Sequence, residues 1–452
     1  MADTTLSPAR GAVAAAGLDR EVVLDLSRRK DEPAWLRELR LEAWDIYESL
    51  PMPTQRDEAW KRTSLSGLDL RRVVPNRAFP GGMVQSADQL PRDLRAAVKA
   101  SGSVGGLLAQ RDSTPVFRSL RDEVQRQGVL FSDLESAVRE HPDLVRDRLG
   151  QAIPATTGKF QALSAALWSG GTFAYVPRGQ AVELPLQSML SLATADLGLF
   201  PRTLLVVEEQ AEAVLVEEYH SSGKLGQPIS MGVVEVFAGR SANVRHVSVQ
   251  QWGTDVWHFA SMRALLERDA SMRFVATATG GRLTRLEVDA ILNGDGSEAE
   301  LSGLMFGDGN QHFDSQTLQD HFGSRTRSDL LFKVALRDRA RSTFTGMIRV
   351  NKECHQSDSN QVNRNLLLSD HSKADADPRL EILNSDVLRC SHGATVGPVD
   401  EESLFYLMCR GLPRQDAEHL LVEGFFEPVI SRVPVEALRK RLWQAVQRKL
   451  DA

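Results

Sequence analysis

The chain has 452 residues, with 54 lysines and arginines against 60 aspartates and glutamates, and a net charge of −6. Because basic and acidic residues are interspersed, no basic surface for nucleic acid or membranes is predicted. No run of about 18 apolar residues offers a transmembrane helix, and three cysteines without a CxxC pair exclude a disulfide framework. The N-terminus is unlike a signal peptide, so we expect a cytoplasmic protein whose first ~25 residues are flexible.

The N-terminal third is predicted to be mainly helical. Apolar residues recur at helical spacing over residues 31–50, where Asp31 can cap the helix and Pro51 ends it. We therefore assign residues 1–165 to an N-terminal helical domain. Further helical stretches in it are 90–100, 117–127, 132–140 and 143–149.

Residues 166–400 are predicted to form a β-solenoid. No proline occurs between Pro228 and Pro378, as expected for interior strands. Short turns ending in a small residue recur at 207–211, 237–241, 266–270, 292–296, 336–340 and 368–372, with spacings of 30, 29, 26, 44 and 32 residues. Such repeats are typical of solenoids, whose units bury apolar surface on their neighbours.

A second similarity supports the repeat. Gly303-Leu304-Met305 and His312 resemble Gly346-Met347-Ile348 and His355, 43 residues later. An antiparallel sandwich with evenly spaced hairpins remains the alternative.

Residues 401–452 are predicted to be helical. Two apolar helices are separated by Gly411 and Pro413, and a last helix begins at Pro434. A segment of this size is too small to bury a core by itself. We therefore expect it to dock on the solenoid, on a partner, or on both. The last helix carries one apolar stripe, Leu438, Leu442, Val446 and Leu450.

The segment Cys390-Ser391-His392 carries the strongest candidate chemistry. On a strand, residues i and i+2 face the same side, so a thiolate and an imidazole could reach one metal ion. Two ligands do not complete a tetrahedral site. The others would come from Cys354 or His355 or from another chain. The structural alternative is that Cys390 is a small buried side chain and His392 a hydrogen-bonded turn residue.

Other candidate chemistry is weaker. We interpret the remaining histidines of this region, His312, His321 and His371, as solvated or turn residues. The sequence contains no GxxxxGK[ST] loop, GxGxxG, HExxH or GxSxG motif. We therefore expect neither nucleotide binding nor an independent enzymatic activity on this chain.

Several stretches together carry a family resemblance. They are NRNLLLSDHSKADADPRLEI from Asn363, DVLRCSHGATVG from Asp386, LFYLMCRG from Leu404, and more weakly ALWSGGTFAYVPRG from Ala166 and RDEAWKRTSL near Asp57. On these stretches the sequence resembles the SufB/SufD family of iron–sulfur cluster assembly proteins. The resemblance covers nearly the whole chain beyond residue 30.

Within the family the sequence is more similar to the SufD branch. SufB-like chains usually have Glu-His-Glu where this chain has Ser391-His392-Gly393, and a cysteine near Leu367 that is absent here. Cys354 departs from the pattern, since SufD-like chains usually have a small residue there.

The resemblance implies a right-handed parallel β-helix with helical N- and C-terminal domains. It also implies a complex with a SufB-like subunit and a SufC-like ABC ATPase. In that complex His392, with Cys390 beside it, would lie at the SufB–SufD interface, where iron or a transient iron–sulfur cluster is assembled. A reduced flavin and a homodimer stay open. Docking of the ATPase is expected on the C-terminal helices, at Leu404, Phe405, Tyr406, Arg410, Gly411 and Phe425.

Two other functions are compatible with a β-helix. The first is a carbohydrate-active enzyme, since polysaccharide lyases and hydrolases use this fold, although they are typically exported. The second is a purely structural homo-oligomer.

Overall fold

A computed structural model describes residues 17–75, 82–221 and 223–451. The α-helices of these ranges are α1 Arg20–Arg29, α2 Ala34–Ser49, α3 Arg92–Lys99, α4 Asp122–Arg126, α5 Leu134–Glu140, α6 Pro142–Arg146, α7 Lys159–Leu167, α8 Glu401–Cys409, α9 Arg414–Ile430 and α10 Glu436–Asp451. Short 3₁₀ helices lie at Glu58–Trp60, Leu70–Arg72, Ala87–Gln89 and Ala155–Thr157.

The strands of the same ranges are β1 Gly106–Arg111, β2 Thr114–Leu120, β3 Leu130–Asp133, β4 Thr172–Val176, β5 Leu186–Leu192, β6 Gly198–Leu199, β7 Arg202–Val207, β8 Glu212–Ser221, β9 Ile229–Ala238, β10 Asn243–Gln251, β11 Trp257–Leu266, β12 Ser271–Ala278, β13 Leu283–Leu292, β14 Glu298–Gly307, β15 His312–His321, β16 Arg327–Leu336, β17 Arg341–Val350, β18 Ser357–Leu367, β19 Lys373–Ile382 and β20 Val387–Pro398.

The strands form two sheets, and the chain passes from one to the other as it winds. The first sheet has the order β2-β1-β5-β8-β10-β12-β14-β16-β18-β20. The second has the order β19-β17-β15-β13-β11-β9-β7-β4-β3, with β6 beside β9. Pairing is parallel except for β1 with β2 and β3 with β4. This is the predicted β-solenoid, with about eight turns, and the antiparallel sandwich is wrong.

The turn spacings follow from the two corners of the solenoid. Backbone φ is positive once per turn at one corner, at Gln210, Ser241, Asp269, Gly296 and Arg325. The turn at 336–340 joins β16 to β17 and lies at the opposite corner. The spacing of 44 residues therefore spans one and a half turns.

The second similarity does not reflect stacking of equivalent residues. Gly303 lies on β14 in the first sheet, whereas Gly346 lies on β17 in the second. The residue in register with His312 is Arg341, and not His355. That interpretation of the repeat was wrong, because two strands of similar composition belong to different sheets.

The solenoid interior changes character along its length. Middle turns bury apolar side chains such as Met262, Phe274 and Leu301 between the sheets. On β18 the buried positions are instead polar, namely Ser357, Ser359, Gln361, Asn363 and Asn365. Polar groups inside a fold require hydrogen-bond partners. The interior at β18 is therefore held by polar contacts, in contrast to the apolar interior of the middle turns.

Helices α1, α2 and α7 cover the outer face of the second sheet, with Leu36, Trp44 and Phe160 in one apolar cluster with Phe259. The expected helix at 31–50 is α2, but Pro33 is its N-cap and Asp31 does not cap it. The expectation of about 25 flexible residues was wrong for residues 20–25, because α1 buries Val23 and Leu26. Its part at residues 1–16 lies outside the described residues.

The N-terminal third contains strands as well as helices. The predicted helix at 117–127 was wrong in its first half, which belongs to strand β2, and α4 forms only the second half. Strand β1 pairs in parallel with β5, and β3 pairs with β4. Both sheets therefore begin before residue 166. At residues 117–120 the hairpin pairing of β2 with β1 overrides the local helical spacing.

The RDEAWKRTSL segment crosses the outer face of the second sheet. The Arg285 guanidinium lies 3.9 Å from the Trp60 ring centroid, and Thr63 Oγ1 donates to Asp314 Oδ2 at 2.6 Å. Arg379 of β19 donates to Glu58 Oε1 at 2.7 Å. The segment thus connects the N-terminal domain to the last strand of this sheet.

Helices α9 and α10 dock on the outer face of the first sheet. Val422, Phe426 and Leu442 form one apolar cluster with Val249 and Phe306 of the strands. Arg441 Nη1 donates to Glu218 Oε2 at 2.7 Å at the edge of this contact. The predicted docking of the C-terminal helices on the solenoid is confirmed.

Candidate functional site

The solenoid ends at strands β19 and β20, which we call the open end. Within the described chain no further strand pairs with the outer edge of either one. Leu388 and Val396 on β20 are 71% and 45% exposed. An unprotected, partly apolar edge is a template for another strand, so the open end is suited to a partner.

Cys390 and His392 lie on β20, at this open end. They are in register with Ser359 and Gln361 of β18, whose side chains are buried in the solenoid. Ser391, between them, faces outward and donates to Asn360 Oδ1 at 2.9 Å. Cys390 and His392 therefore share the inward face of the last strand.

Cys390 is half-buried and packs against Ile348, Val350 and Cys354. Cys354 is fully buried, and its Sγ donates to the Gly323 carbonyl at 2.9 Å. Burial raises the pKa of the Cys354 thiol, whereas a metal-binding cysteine is a thiolate. Cys354 therefore belongs to the buried apolar cluster against which Cys390 packs, and it is a packing residue.

His355 lies on an outer corner, away from this face. It is exposed, with Nδ1 3.1 Å from Asp386 Oδ2. His321 is buried, and its ring nitrogens lie 2.8 Å from the hydroxyls of Thr326 and Ser328. Burial lowers the pKa of His321 to about 4. It is a neutral, hydrogen-bonded core residue rather than a turn residue.

The other two histidines of this region lie apart from the open end's inward face. His312 is on the outer face of the second sheet, with Nε2 3.3 Å from Thr343 Oγ1, and burial lowers its pKa. His371 is exposed on a turn.

No group of three His, Cys, Asp or Glu side chains within the described ranges is arranged to hold a metal ion. Cys390 and His392 offer two potential ligand atoms, whereas tetrahedral iron or zinc requires about four. A metal ion bound at these two side chains would therefore need further ligands from outside the described residues.

Helices α8 and α9 carry a second feature, a set of four exposed apolar side chains, Phe405, Tyr406, Met408 and Leu420. Phe405 and Tyr406 are 67% and 57% exposed. Arg410 donates to the Tyr406 hydroxyl at 2.8 Å. This patch is available to a partner, and we call it the C-terminal patch.

Three of the residues expected to dock the ATPase are not among the exposed side chains of the C-terminal patch. Leu404 is buried, so its side chain is not part of this exposed surface. Gly411 has a φ of 94° and ends α8. Phe425 is half-buried, and its carbonyl accepts from Lys333 Nζ at 2.6 Å, which fastens α9 to the sheet.

Two comparisons with known proteins bear on this architecture. A family profile for "SUF system FeS cluster assembly, SufBD core domain" matches residues 190–425, and one for "SufBD protein N-terminal region" matches residues 116–188. The chain belongs to the SufB/SufD family of iron–sulfur cluster assembly proteins. The core match includes the solenoid turns beyond β5, the open end and the C-terminal patch.

Individual family members match most of the chain. The iron–sulfur cluster assembly protein SufD of Bacillus subtilis is 31% identical over 438 residues, covering 96% of this chain and 98% of that protein. SufB of the same organism is 30% identical over 427 residues, covering 93% and 90%. The identities are too similar to separate the two branches. None of the helices that the structure describes is long and apolar enough to cross a membrane.

Two features were not predicted from the sequence patterns: the buried polar residues of β18, and a row of alternating charges in register on four strands of the first sheet, Glu298, Arg327, Asp358 and Arg389. The sequence contained a signal for the polar interior of β18. Every second residue from 357 to 363 is polar, namely Ser357, Ser359, Gln361 and Asn363. The row of charges depends on residues about 30 positions apart in different turns, and no local pattern marks it.

Proposed function

We propose that this chain is a SufD-type subunit of an iron–sulfur cluster assembly scaffold, with the nascent cluster as its cargo. One observation carries the proposal: two metal-ligating side chains, Cys390 and His392, share the inward face of an edge strand at the open end. A partner that continues the sheets there would bring the missing ligands to the same point. The chain acts as half of a site.

The assignment to the SufD branch is supported by side chains at the open end. Ser391 and Gly393 flank His392, so the carboxylates of a Glu-His-Glu string are absent. The residue at 367 is leucine, and not cysteine. Cys390 is then the one cysteine on this face, and a SufB-type partner supplies the other thiolates.

The partner is expected to join by strand pairing. Free N–H and C=O groups of β19 and β20 supply main-chain hydrogen bonds, and exposed Leu388 and Val396 add apolar contact. Self-association through the same edges, into a homodimer, would use the same groups in the absence of a SufB-type subunit.

The C-terminal patch is the proposed docking surface for a SufC-type ATPase. The chain lacks a phosphate-binding loop, so the energy source of assembly lies on another subunit. Exposed aromatic side chains such as Phe405 are enriched where proteins bind each other. We place the complex in the cytoplasm, and a reduced flavin in it stays an expectation of the family resemblance.

The deciding experiment is co-expression with SufB-type and SufC-type subunits, anaerobic purification, and iron and sulfide analysis. We expect all three chains to co-purify and to carry a cluster that the isolated chain does not form. An ATPase that fails to co-purify, or a full cluster on the isolated chain, would contradict the proposal. Size measurement of the isolated chain identifies a homodimer.

A further inference from the structure

A row of polar side chains runs across the outer face of the first sheet towards the open end. Asp329 on β16, Asn360 on β18 and Ser391 on β20 are register partners on successive parallel strands. Their side chains are hydrogen-bonded in that order. Asn360 Nδ2 donates to Asp329 Oδ1 at 3.0 Å, and Ser391 Oγ donates to Asn360 Oδ1 at 2.9 Å. We call these three residues the polar row.

Arg432 attaches the polar row to the C-terminal helices. It lies in the turn between α9 and α10, and its Nη2 is 3.5 Å from Asp329 Oδ2. Its Nη1 is 2.9 Å from Glu300 Oε1 and from Ser302 Oγ, both on β14. The Asp329 side chain is 40% exposed, so without the guanidinium its carboxylate is free to turn into water. The position of this turn on the sheet therefore determines where the acceptor of Asn360 lies.

The other end of the polar row is the residue between Cys390 and His392. Strand β20 is an edge strand, so its backbone has a partner on one side only. The Ser391 hydroxyl adds a side-chain bond to β18 at the point where both neighbouring side chains face inward. Donors and acceptors match along the whole row, from hydroxyl to amide to carboxylate to guanidinium. Hydrogen bonds in such a series orient and strengthen one another.

A neighbouring outward row does not continue to β20 in the same way. Lys333 on β16 also contacts α9, where its Nζ donates to the Phe425 carbonyl at 2.6 Å. Its register partner on β18 is Arg364, a second cation, which has no acceptor to offer. Burial and, to a smaller extent, the charge of Arg364 lower the pKa of Lys333 to about 8. Of these two rows, the polar row is the one whose bonds reach the edge strand.

We propose that Asn360 is a positioning residue that couples the turn between α9 and α10 to the edge strand that carries Cys390 and His392. Arg432 holds the Asp329 carboxylate, the carboxylate fixes the Asn360 amide, and the amide fixes Ser391. Displacement of the turn therefore loosens β20. The coupling depends on contacts within this chain alone, whereas its use in cluster assembly rests on the proposed function of Cys390 and His392.

The test is hydrogen exchange of β20 in the isolated full chain, measured by mass spectrometry on peptides from residues 387–398. Although Arg432 bonds to β14 and β16, we expect Arg432→Met to speed exchange in β20 about two- to fivefold. That is the range for one partly exposed ion pair or hydrogen bond. Asn360→Ala should speed it similarly. Because coupling requires non-additive effects, Arg432→Met should add nothing in the Asn360→Ala background.

A matched control is available on α10. Arg441 is 23% exposed, against 28% for Arg432, and it fastens α10 to Glu218 on β8 at 2.7 Å. Strand β8 is six strands away from β20 in the first sheet, so Arg441→Met should leave exchange in β20 unchanged. If Arg432→Met detaches both helices, as fast exchange throughout α9 and α10 would show, Asp329→Asn weakens the same link while the side chain keeps its shape.

The outcomes separate the coupling from the proposed function. Unchanged exchange of β20 in Arg432→Met and Asp329→Asn, an equal rise in Arg441→Met, or a further rise in the double variant overturns the coupling. Faster exchange confined to variants of the polar row and Arg432, with a similar loss of cluster formation by the complex, supports the proposal. The same exchange with full cluster formation leaves the coupling in place and contradicts the proposed role of β20 in assembly.

Discussion

Arg389 and Asp358 form an ion pair across the last two strands of the first sheet, with Nε donating to Oδ1 at 2.7 Å. The residues in register on the two preceding strands are Arg327 and Glu298. Charge therefore alternates along the row, and Arg389, at the edge strand, has an acidic neighbour on one side only. A partner strand that continues the row would complete it with a carboxylate.

Reversal of this last charge should weaken partner binding. With Arg389→Glu we expect the Kd for the SufB-type subunit to rise about fivefold, because like charges opposite each other on paired strands repel by up to about 1 kcal/mol. Titration calorimetry at low and high salt measures the effect, which salt should reduce. Arg268→Glu makes the same change at an exposed corner distant from the open end. An equal loss of affinity in Arg389→Glu and Arg268→Glu would contradict the idea that the partner strand continues the row of charges.

Removal of the imidazole should abolish assembly without affecting the fold. Since His392 is exposed, His392→Ala should change the free energy of unfolding by less than about 0.5 kcal/mol. The variant complex should retain its ATPase and lose iron and sulfide, as determined by chemical analysis after anaerobic purification. His371→Ala, at an exposed turn, is the control. A full cluster on the His392→Ala complex would remove this residue from the mechanism.

Neighbouring residues of α8 should separate docking from stability. Phe405→Ser removes an exposed ring and should reduce ATPase capture by about tenfold or more, with little change in unfolding. Leu404→Ala removes a buried side chain and should destabilise the protein by about 2–4 kcal/mol. Pull-down and chemical denaturation of both variants test this. A Phe405→Ser variant with normal capture would place the ATPase elsewhere.

Buried His258 should make the fold sensitive to acid. Its ring lies 6.4 Å from that of Tyr219 and 6.0 Å from that of Trp252, between centroids. Burial lowers the pKa of His258 to about 3, whereas an unfolded histidine titrates near pH 6.5. Between these values the unfolded chain binds a proton that the folded chain does not. The free energy of unfolding therefore falls as the pH falls from about 6.5 to 3.

His258→Phe should reduce this slope, because phenylalanine has a similar ring and no titratable group. Urea unfolding at several pH values measures it. Exposed His371→Phe should leave the slope unchanged. An identical slope in wild type and His258→Phe would assign the acid sensitivity to other residues.

Local patterns predicted much of the solenoid. Alternation of apolar and polar residues has a period of two on any strand, so it is visible without knowledge of the partner strand. Proline is absent between Pro228 and Pro378 because interior strands use their backbone N–H groups in the hydrogen-bond ladder. Pro378 lies on β19, at the edge of the second sheet, where a missing N–H costs no ladder hydrogen bond. Strands β1 and β3 pair with β5 and β4, which are distant in sequence, whereas β2 was missed although it forms a hairpin with the neighbouring β1.

By itself, the sequence determined the repeating strands, the helical flanks, the family, and the placement of Cys390 and His392 at alternate positions of one strand. Each of these depends on residues within a few positions of one another. Only the tertiary structure decided that β20 is an edge, that its inward face is in register with the buried polar residues of β18, and that Leu404 is covered while Phe405 is exposed. These relationships depend on the stacking of turns about 30 residues long and on the docking of helices against the stacked turns. The spacing of side chains along the chain does not show which of them meet in this way.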